Sequence, residues 1–233
     1  MPAANQAAAP AEVAALRDSG RYGRDGTIPN KVGADDFDGG ILAIANPHDC
    51  RSWYVTDELL AYHDHEWGYP VHDDQRLFQM LCLEGASVGL SWRTILHKRP
   101  AYRRLFHDFD IDACAAMPDE ELERALGDPA IVRSRPKVFA VRSNAQAAQD
   151  IRREFGSLDA YLWGSVDGRQ VVGAWQSMDQ IPTQTELSRK VSADLRRRGM
   201  LFVGPVITYS FLQAVGIVND HLLSCDRREA CMD

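Results

Sequence analysis

From about Asn46 onward, helix start and stop signals recur so densely, and period-two alternation is so scarce, that the chain points to a set of packed α-helices. Asp73-Asp74 stand where an N-cap is needed, ahead of Leu77, Phe78, Leu81 and Cys82 at helical spacing, with Glu84-Gly85 reading as the end of that helix. Ser91 can cap a second helix that carries Trp92, Ile95 and Leu96. After Pro118, the run Asp119, Glu120 and Glu121 complements the dipole of a third. The turn Gly127-Asp128-Pro129 leads to a basic segment and a helix ending near Gln149. Thr183 and Glu186 stand at capping-box spacing before a helix that runs through Val191 and Leu195 to Arg198 and closes at Gly199. Gly204-Pro205 opens an apolar helix through Phe211 and Val215. Alternation is limited to pieces such as Arg169 to Val172. The expected fold class is all-α, mostly helical and without internal repeats.

A chain of 233 residues, 45% of them hydrophobic, can bury a core that needs no disulfide staples. With 17 Gly, 11 Pro and 25% charged residues, its composition excludes collagen, coiled coil and global disorder. Residues 1–45 are Ala/Pro-rich and then Gly- and Asp-rich, and read as a weakly ordered extension preceding a folded domain at 46–233. No run approaches the ~18 apolar residues of a membrane span, and the start lacks a basic flank followed by an apolar stretch. The expectation is a cytoplasmic protein with no membrane contact. Five cysteines, an odd number, favour free thiols or metal ligands over a disulfide framework. The formal charge of −7 gives no global attraction to nucleic acid, but steering depends on where charges sit, so a local basic surface is compatible with it.

Three constellations carry chemistry. His221 and Cys225, four apart, would face the same way on a helix and share a metal ion, and Cys50 and His63 would complete a Cys2His2 set from the other end of the folded region. His48, His65 and Cys231 are alternative donors. In Leu83 to Trp92, a carboxylate, Glu84, follows an apolar helix face and precedes a Gly-containing turn and a Trp; buried beside aromatics it would act in recognition or catalysis, and exposed it would do neither. In residues 131–142, Arg133, Arg135, Lys137 and Arg142 occur with no acid among them at the start of a helix, an arrangement suited to docking phosphate.

Three strings, in order, resemble the bacterial 3-methyladenine DNA glycosylase I family: Ala61-Tyr62-His63-Asp64-His65-Glu66-Trp67-Gly68; Cys82-Leu83-Glu84-Gly85 with Gly89-Leu90-Ser91-Trp92; and Phe202-Val203-Gly204 continuing through Tyr209 to Ala214 and Val218-Asn219-Asp220-His221. The similarity spans roughly Cys50 to Cys225. It implies a helix-hairpin-helix glycosylase fold, one structural Zn2+, and removal of 3-methyladenine from alkylated double-stranded DNA in base excision repair by a monomer, with free 3-methyladenine as product. Carried over residue by residue, it implies Cys50, His63, His221 and Cys225 as zinc ligands, Glu84 as the base-contacting catalytic carboxylate, and Tyr62, Trp92, Trp67 and Trp53 as base-binding aromatics. Gly89 and Leu90 would face the gap left by the flipped nucleotide, and Arg133, Arg135 and Lys137 would bind DNA. The chain departs from the family pattern in three places: two residues separate Cys50 from Trp53 where one is usual, Leu59 stands where Tyr is common, and Pro136 replaces a usual Gly.

Two other functions compete. A zinc-dependent hydrolase would use His63, His65 and Glu66 as ligands and base, and needs an open metal position. A non-cleaving sensor of damaged DNA or methylated base would bind without releasing product.

Overall fold

The computed structural model describes residues 47–53 and 56–232, within one compact unit, Ile44–Asp233. The extension expected at 1–45 lies outside the described residues. Short polar side chains start most helices by accepting an amide that the helix leaves unpaired. Thr56 opens α1 (Asp57–His65), accepting from the Leu59 amide. Asp73 opens α2 (Asp74–Ser87), accepting from Arg76 at 2.8 Å. Ser91 opens α3 (Trp92–Leu105), and Asp110 opens α4 (Ile111–Ala116). Pro118 precedes α5 (Asp119–Gly127), with three acids in its first turn. There follow α6 (Arg135–Phe155), α7 (Leu158–Gly164), α8 (Glu186–Arg197), α9 (Pro205–Ala214) and α10 (Arg227–Ala230). Strands β1 (Val171–Val172) and β2 (Val218–Asn219) pair in parallel, Val171 opposite Val218. The architecture is mostly helical, as expected.

Helix α6 is the organising element. Its positions Val138, Val141, Ala145, Ala148 and Ile151 recur at helical spacing and are all buried, and it packs on α2, α4, α5 and α7. Asn144 on its buried face brackets Leu201, donating to the carbonyl at 3.1 Å and accepting from the amide at 2.8 Å. Asp74 joins α2 to α7 by accepting the amides of Leu158 and Asp159 at 3.0 and 2.8 Å, which caps the start of α7 from outside. Helices α5 and α6, with the turn 128–134 between them, form a helix-hairpin-helix. Its turn is seated on α3: Lys98 donates to the Pro129 carbonyl at 3.2 Å, Arg104 to Asp128 at 2.9 Å, and the Val132 amide to the Tyr102 hydroxyl at 3.2 Å.

Four local expectations are corrected. Helix α2 does not end at Glu84-Gly85 but runs on to Ser87. Gly85 is there for close approach: a Cβ would meet the Phe202 side chain at 3.2 Å and its carbonyl oxygen at 3.3 Å. The capping box of α8 is Thr185 with Ser188, not Thr183 with Glu186; Glu186 sits one residue inside the helix and pairs with Lys190 at 2.8 Å. Helix α6 extends past Gln149 to Phe155, because Ile151 still has core to bury against. Finally, His221 and Cys225 are not on a helix, but on a turn between β2 and α10, closed by the Cys225 amide on the Leu222 carbonyl at 2.9 Å.

Candidate functional site

The four nominated metal ligands converge. Cys50 comes from a 3-10 turn (Cys50–Trp53), His63 from α1, and His221 and Cys225 from the turn after β2. Their donor atoms all lie within 4.8 Å of one another, and this group could hold a metal ion. The edges are 3.9 Å for Cys50 Sγ to His221 Nδ1, 3.8 Å for Cys225 Sγ to His63 Nε2 and 3.4 Å for Cys225 Sγ to His221 Nδ1. A tetrahedron with the usual zinc bond lengths has edges of about 3.3–3.8 Å, and these three edges fall within about 0.1 Å of that range, so the chemistry of the Cys2His2 donor set suits such an ion. Each imidazole is also oriented from behind: His63 Nδ1 bonds Asp64 at 2.8 Å, and His221 Nε2 bonds the Trp67 carbonyl at 3.0 Å, leaving His63 Nε2 and His221 Nδ1 facing the cluster. Arg51 fixes Asp64 in turn and reaches Asp226 at 2.7 Å. The Leu222 amide points at Cys50 Sγ from 3.2 Å, as suits a thiolate. A Cβ at Gly68 would come within 2.9 Å of the His221 ring, so only glycine lets α1's exit pass this close. These supporting contacts went unread in the sequence, although a carboxylate directly after a ligand His, as in His63-Asp64, is the signal for one.

His65 is exposed and outside the cluster, and Cys231 is buried with its thiol toward the Trp67 carbonyl. Glu66 is engaged by both terminal nitrogens of Arg99, at 2.6 and 2.8 Å. Burial opposes its ionisation, but the Arg99 hydrogen bonds prevail and hold its carboxyl below the usual range. The pair ties α1 to α3. The hydrolase arrangement therefore lacks its second His ligand and its base, and a tetrahedral ion with four protein ligands leaves no open position for water.

The second constellation is built on the end of α2. Glu84 sits in its last turn, 6% exposed, with no hydrogen-bond partner for its carboxylate among the described residues. Burial alone pushes its pKa up to about 8. The chain then turns through 88–91 into Trp92, the first residue of α3. The Tyr62 and Trp92 rings lie 5.4 Å apart, tilted by 51°, joining α1 to α3. The indole N–H of Trp92 is buried and has no acceptor among the described residues. An unpartnered acceptor and an unpartnered donor thus flank one short turn, and native interiors seldom tolerate either. Leu90, at the tip of the turn, is 44% exposed.

Trp67 is placed differently from Tyr62 and Trp92. Its indole packs edge-on against His221 at 4.5 Å and stacks on His63 at 5.9 Å, so it walls the metal cluster. The Trp53 side chain lies outside the described residues. In the hairpin, Arg133 is exposed; Arg135 donates to Glu123 at 3.0 Å and lies 3.9 Å over the Phe139 ring. Lys137 differs from the expected phosphate contact: it is partly buried, and its ammonium donates to the carbonyls of Ala86 and Val88.

Comparison with known proteins converges on one family. A family model described as methyladenine glycosylase matches residues 53–229. The DNA-3-methyladenine glycosylase 1 of Escherichia coli (strain K12) is 43% identical over 174 residues, covering 74% of this chain and 93% of that protein. A solved 3-methyladenine DNA glycosylase I from Staphylococcus aureus, described for its recognition of 3-methyladenine, superposes with a TM-score of 0.76 at 35% identity, over 78% of this chain and 97% of that one. A variant 3-methyladenine DNA glycosylase I in complex with 3-methyladenine gives a TM-score of 0.76 at 34% identity, over 78% and 97% of the two chains. With the matched model covering most of its length, and the relatives matched nearly end to end, the chain belongs to the methyladenine glycosylase family.

Proposed function

We propose that this chain is a DNA glycosylase that removes 3-methyladenine from alkylated double-stranded DNA, working as a monomer in base excision repair. The observation that carries the reading is the buried, unpaired carboxylate of Glu84. Such a group weakens the fold, and among the described residues no cation compensates it, so its use is toward a ligand that brings positive charge. A purine methylated at N3 in DNA is that ligand. It is cationic, and its glycosidic bond is already weakened.

The lesion has to leave the base stack to be reached. Glu84, ionised, accepts from the exocyclic amine and attracts the positive ring. Tyr62 and Trp92 offer aromatic faces, and a cation over such a face gains ~0.5–2 kcal/mol that neutral adenine does not. The bond from the sugar C1′ to the base breaks with its electron pair passing to the purine, which leaves neutral. Water adds at C1′ and gives up a proton to solvent. No strong general acid is needed, and no Lys falls within the sequence strings that carry Glu84, Tyr62 and Trp92 to form a Schiff base. Leu90 would enter the gap left by the flipped nucleotide, with Gly89 allowing the turn, and Trp67 would support the pocket through the metal cluster. Trp53 is retained as a further aromatic of the pocket. Cys50, His63, His221 and Cys225 would hold one structural Zn2+, clipping together segments 171 residues apart.

The test is release of free base from methylated duplex. Release of 3-methyladenine is the expected result; binding of free 3-methyladenine without release would make the chain a sensor. Arg133 and Arg135 are assigned to phosphate, which positions the duplex without reading it. Arg133→Gln is accordingly expected to weaken binding of damaged and undamaged duplex alike and to reduce the slope of log affinity against log salt by about one unit. Titrations over a range of ionic strength check it.

A further inference from the structure

The carbonyls at a helix C-terminus have no partner within the helix and carry the negative end of its dipole. At the end of α2 these are met by one side chain from 51 residues away: Lys137 Nζ donates to the Ala86 carbonyl at 2.9 Å and to that of Val88 as well. Two of the three ammonium protons are thereby used. Lys137 lines one small cavity together with Gly85, Val141, Asn144 and Phe202, and its burial draws its pKa below the ordinary lysine value. Lys137 stands in the first turn of α6, the second helix of the hairpin. What it grips is the turn holding Glu84 on one side and the Gly89-Leu90 turn on the other. The latter has little packing of its own, since Leu90 is exposed and the hydrogen bond from the Leu90 amide to the Ser87 carbonyl at 2.7 Å stays within the turn.

We infer that Lys137 is a positioning residue, which locks the Glu84 turn of α2 and the Gly89-Leu90 turn onto the basic hairpin, so that the seat of the hairpin on DNA fixes the geometry of base extrusion and capture. This rests on the glycosylase reading. A lysine whose ammonium is spent on two carbonyls contributes rigidity to the site, whereas one in contact with phosphate contributes counterion release to binding.

The two roles separate in a pair of measurements: single-turnover base release from methylated duplex at saturating protein, and the salt dependence of binding to undamaged duplex. For Lys137→Met, which keeps the stem and removes the donors, release is expected to slow by about tenfold or more, because small misplacement of a reacting geometry is costly. Its salt slope is expected to equal that of wild type. Lys137→Arg, which retains charge and donors, is expected to recover most of the rate. A salt slope lowered by about one unit with a wild-type release rate would make Lys137 a phosphate contact and overturn the inference. Two unchanged measurements would overturn it too. If Lys137→Met does not fold, the same measurements on Lys137→Gln decide between these outcomes. A wild-type protein that releases no base fails the glycosylase reading itself, whereas an active wild type beside an indifferent Lys137→Met fails the positioning role alone.

Discussion

Glu84→Gln is expected to slow release of 3-methyladenine by tenfold or more and, at the same time, to make the fold more stable above neutral pH. Both effects come from one property. Burial raises the Glu84 carboxyl from 4.5 to about 8, so the folded chain holds this proton more tightly than the unfolded chain does. A raised carboxyl costs nothing at low pH, where both states are protonated. The cost grows as pH rises from 4.5 and is fully present above about 8. Gln cannot ionise and avoids it, so the melting temperature of the variant should exceed that of wild type most at pH 8 and converge with it toward pH 5. Activity should move the other way. Gln keeps the shape of the side chain but loses the charge that meets the cationic base, and a tenfold loss corresponds to about 1.4 kcal/mol, a modest share for a charge-assisted contact in a dry site. For wild type, kcat/KM should climb with pH toward the free-enzyme value near 8, since the ionised carboxylate is the competent form. Equal release rates, or a variant no more stable at pH 8, would show that this carboxylate is solvated and serves no base.

Removing a metal ion held by Cys50, His63, His221 and Cys225 is expected to have the largest effect on stability. The four donors bring together the turn before α1, α1 itself and the segment after β2, with 171 residues of chain between Cys50 and His221. An ion bound only by the folded chain contributes its binding free energy to folding. Purified protein is expected to carry one zinc per chain, and chelation to lower the melting temperature by about 10 °C or more. His221→Ala should show the lower melting temperature from the outset and respond no further to chelator. That second comparison separates metal loss from the packing lost with the imidazole, which touches Trp67 at 4.5 Å. Base release should fall with zinc content as well, because His63 follows directly on Tyr62 in α1. A wild-type protein without zinc, or one whose melting is indifferent to chelation, would assign the cluster no structural ion.

Much of the fold could be read from short stretches of sequence. Asp73, Ser91, Pro118 and Gly204-Pro205 open their helices where their residue types say they should, since the side-chain caps of Asp73 and Ser91 and the fixed backbone of proline act within one turn and need no distant partner. The four metal donors were nominated by type and spacing and do converge, although the helical reason given for His221 and Cys225 does not hold, a turn bringing the same two residues together instead. Where distant chain intervened, local reasoning fell short. Gly85 resembled a helix stop because nothing nearby revealed that Phe202 would press against it, and the helix was free to continue beneath. Lys137 resembled a phosphate contact because it sits among arginines, but the carbonyls it meets belong to residues some 50 positions earlier. The raised carboxyl of Glu84 was no more legible, since desolvation depends on everything packed around a group. The sequence by itself determined where helices begin and which side chains can hold a metal, because those are properties of residue type and near neighbours. Only the tertiary structure decided which charges are buried, paired or spent, because burial and pairing are set by segments that folding alone brings into contact.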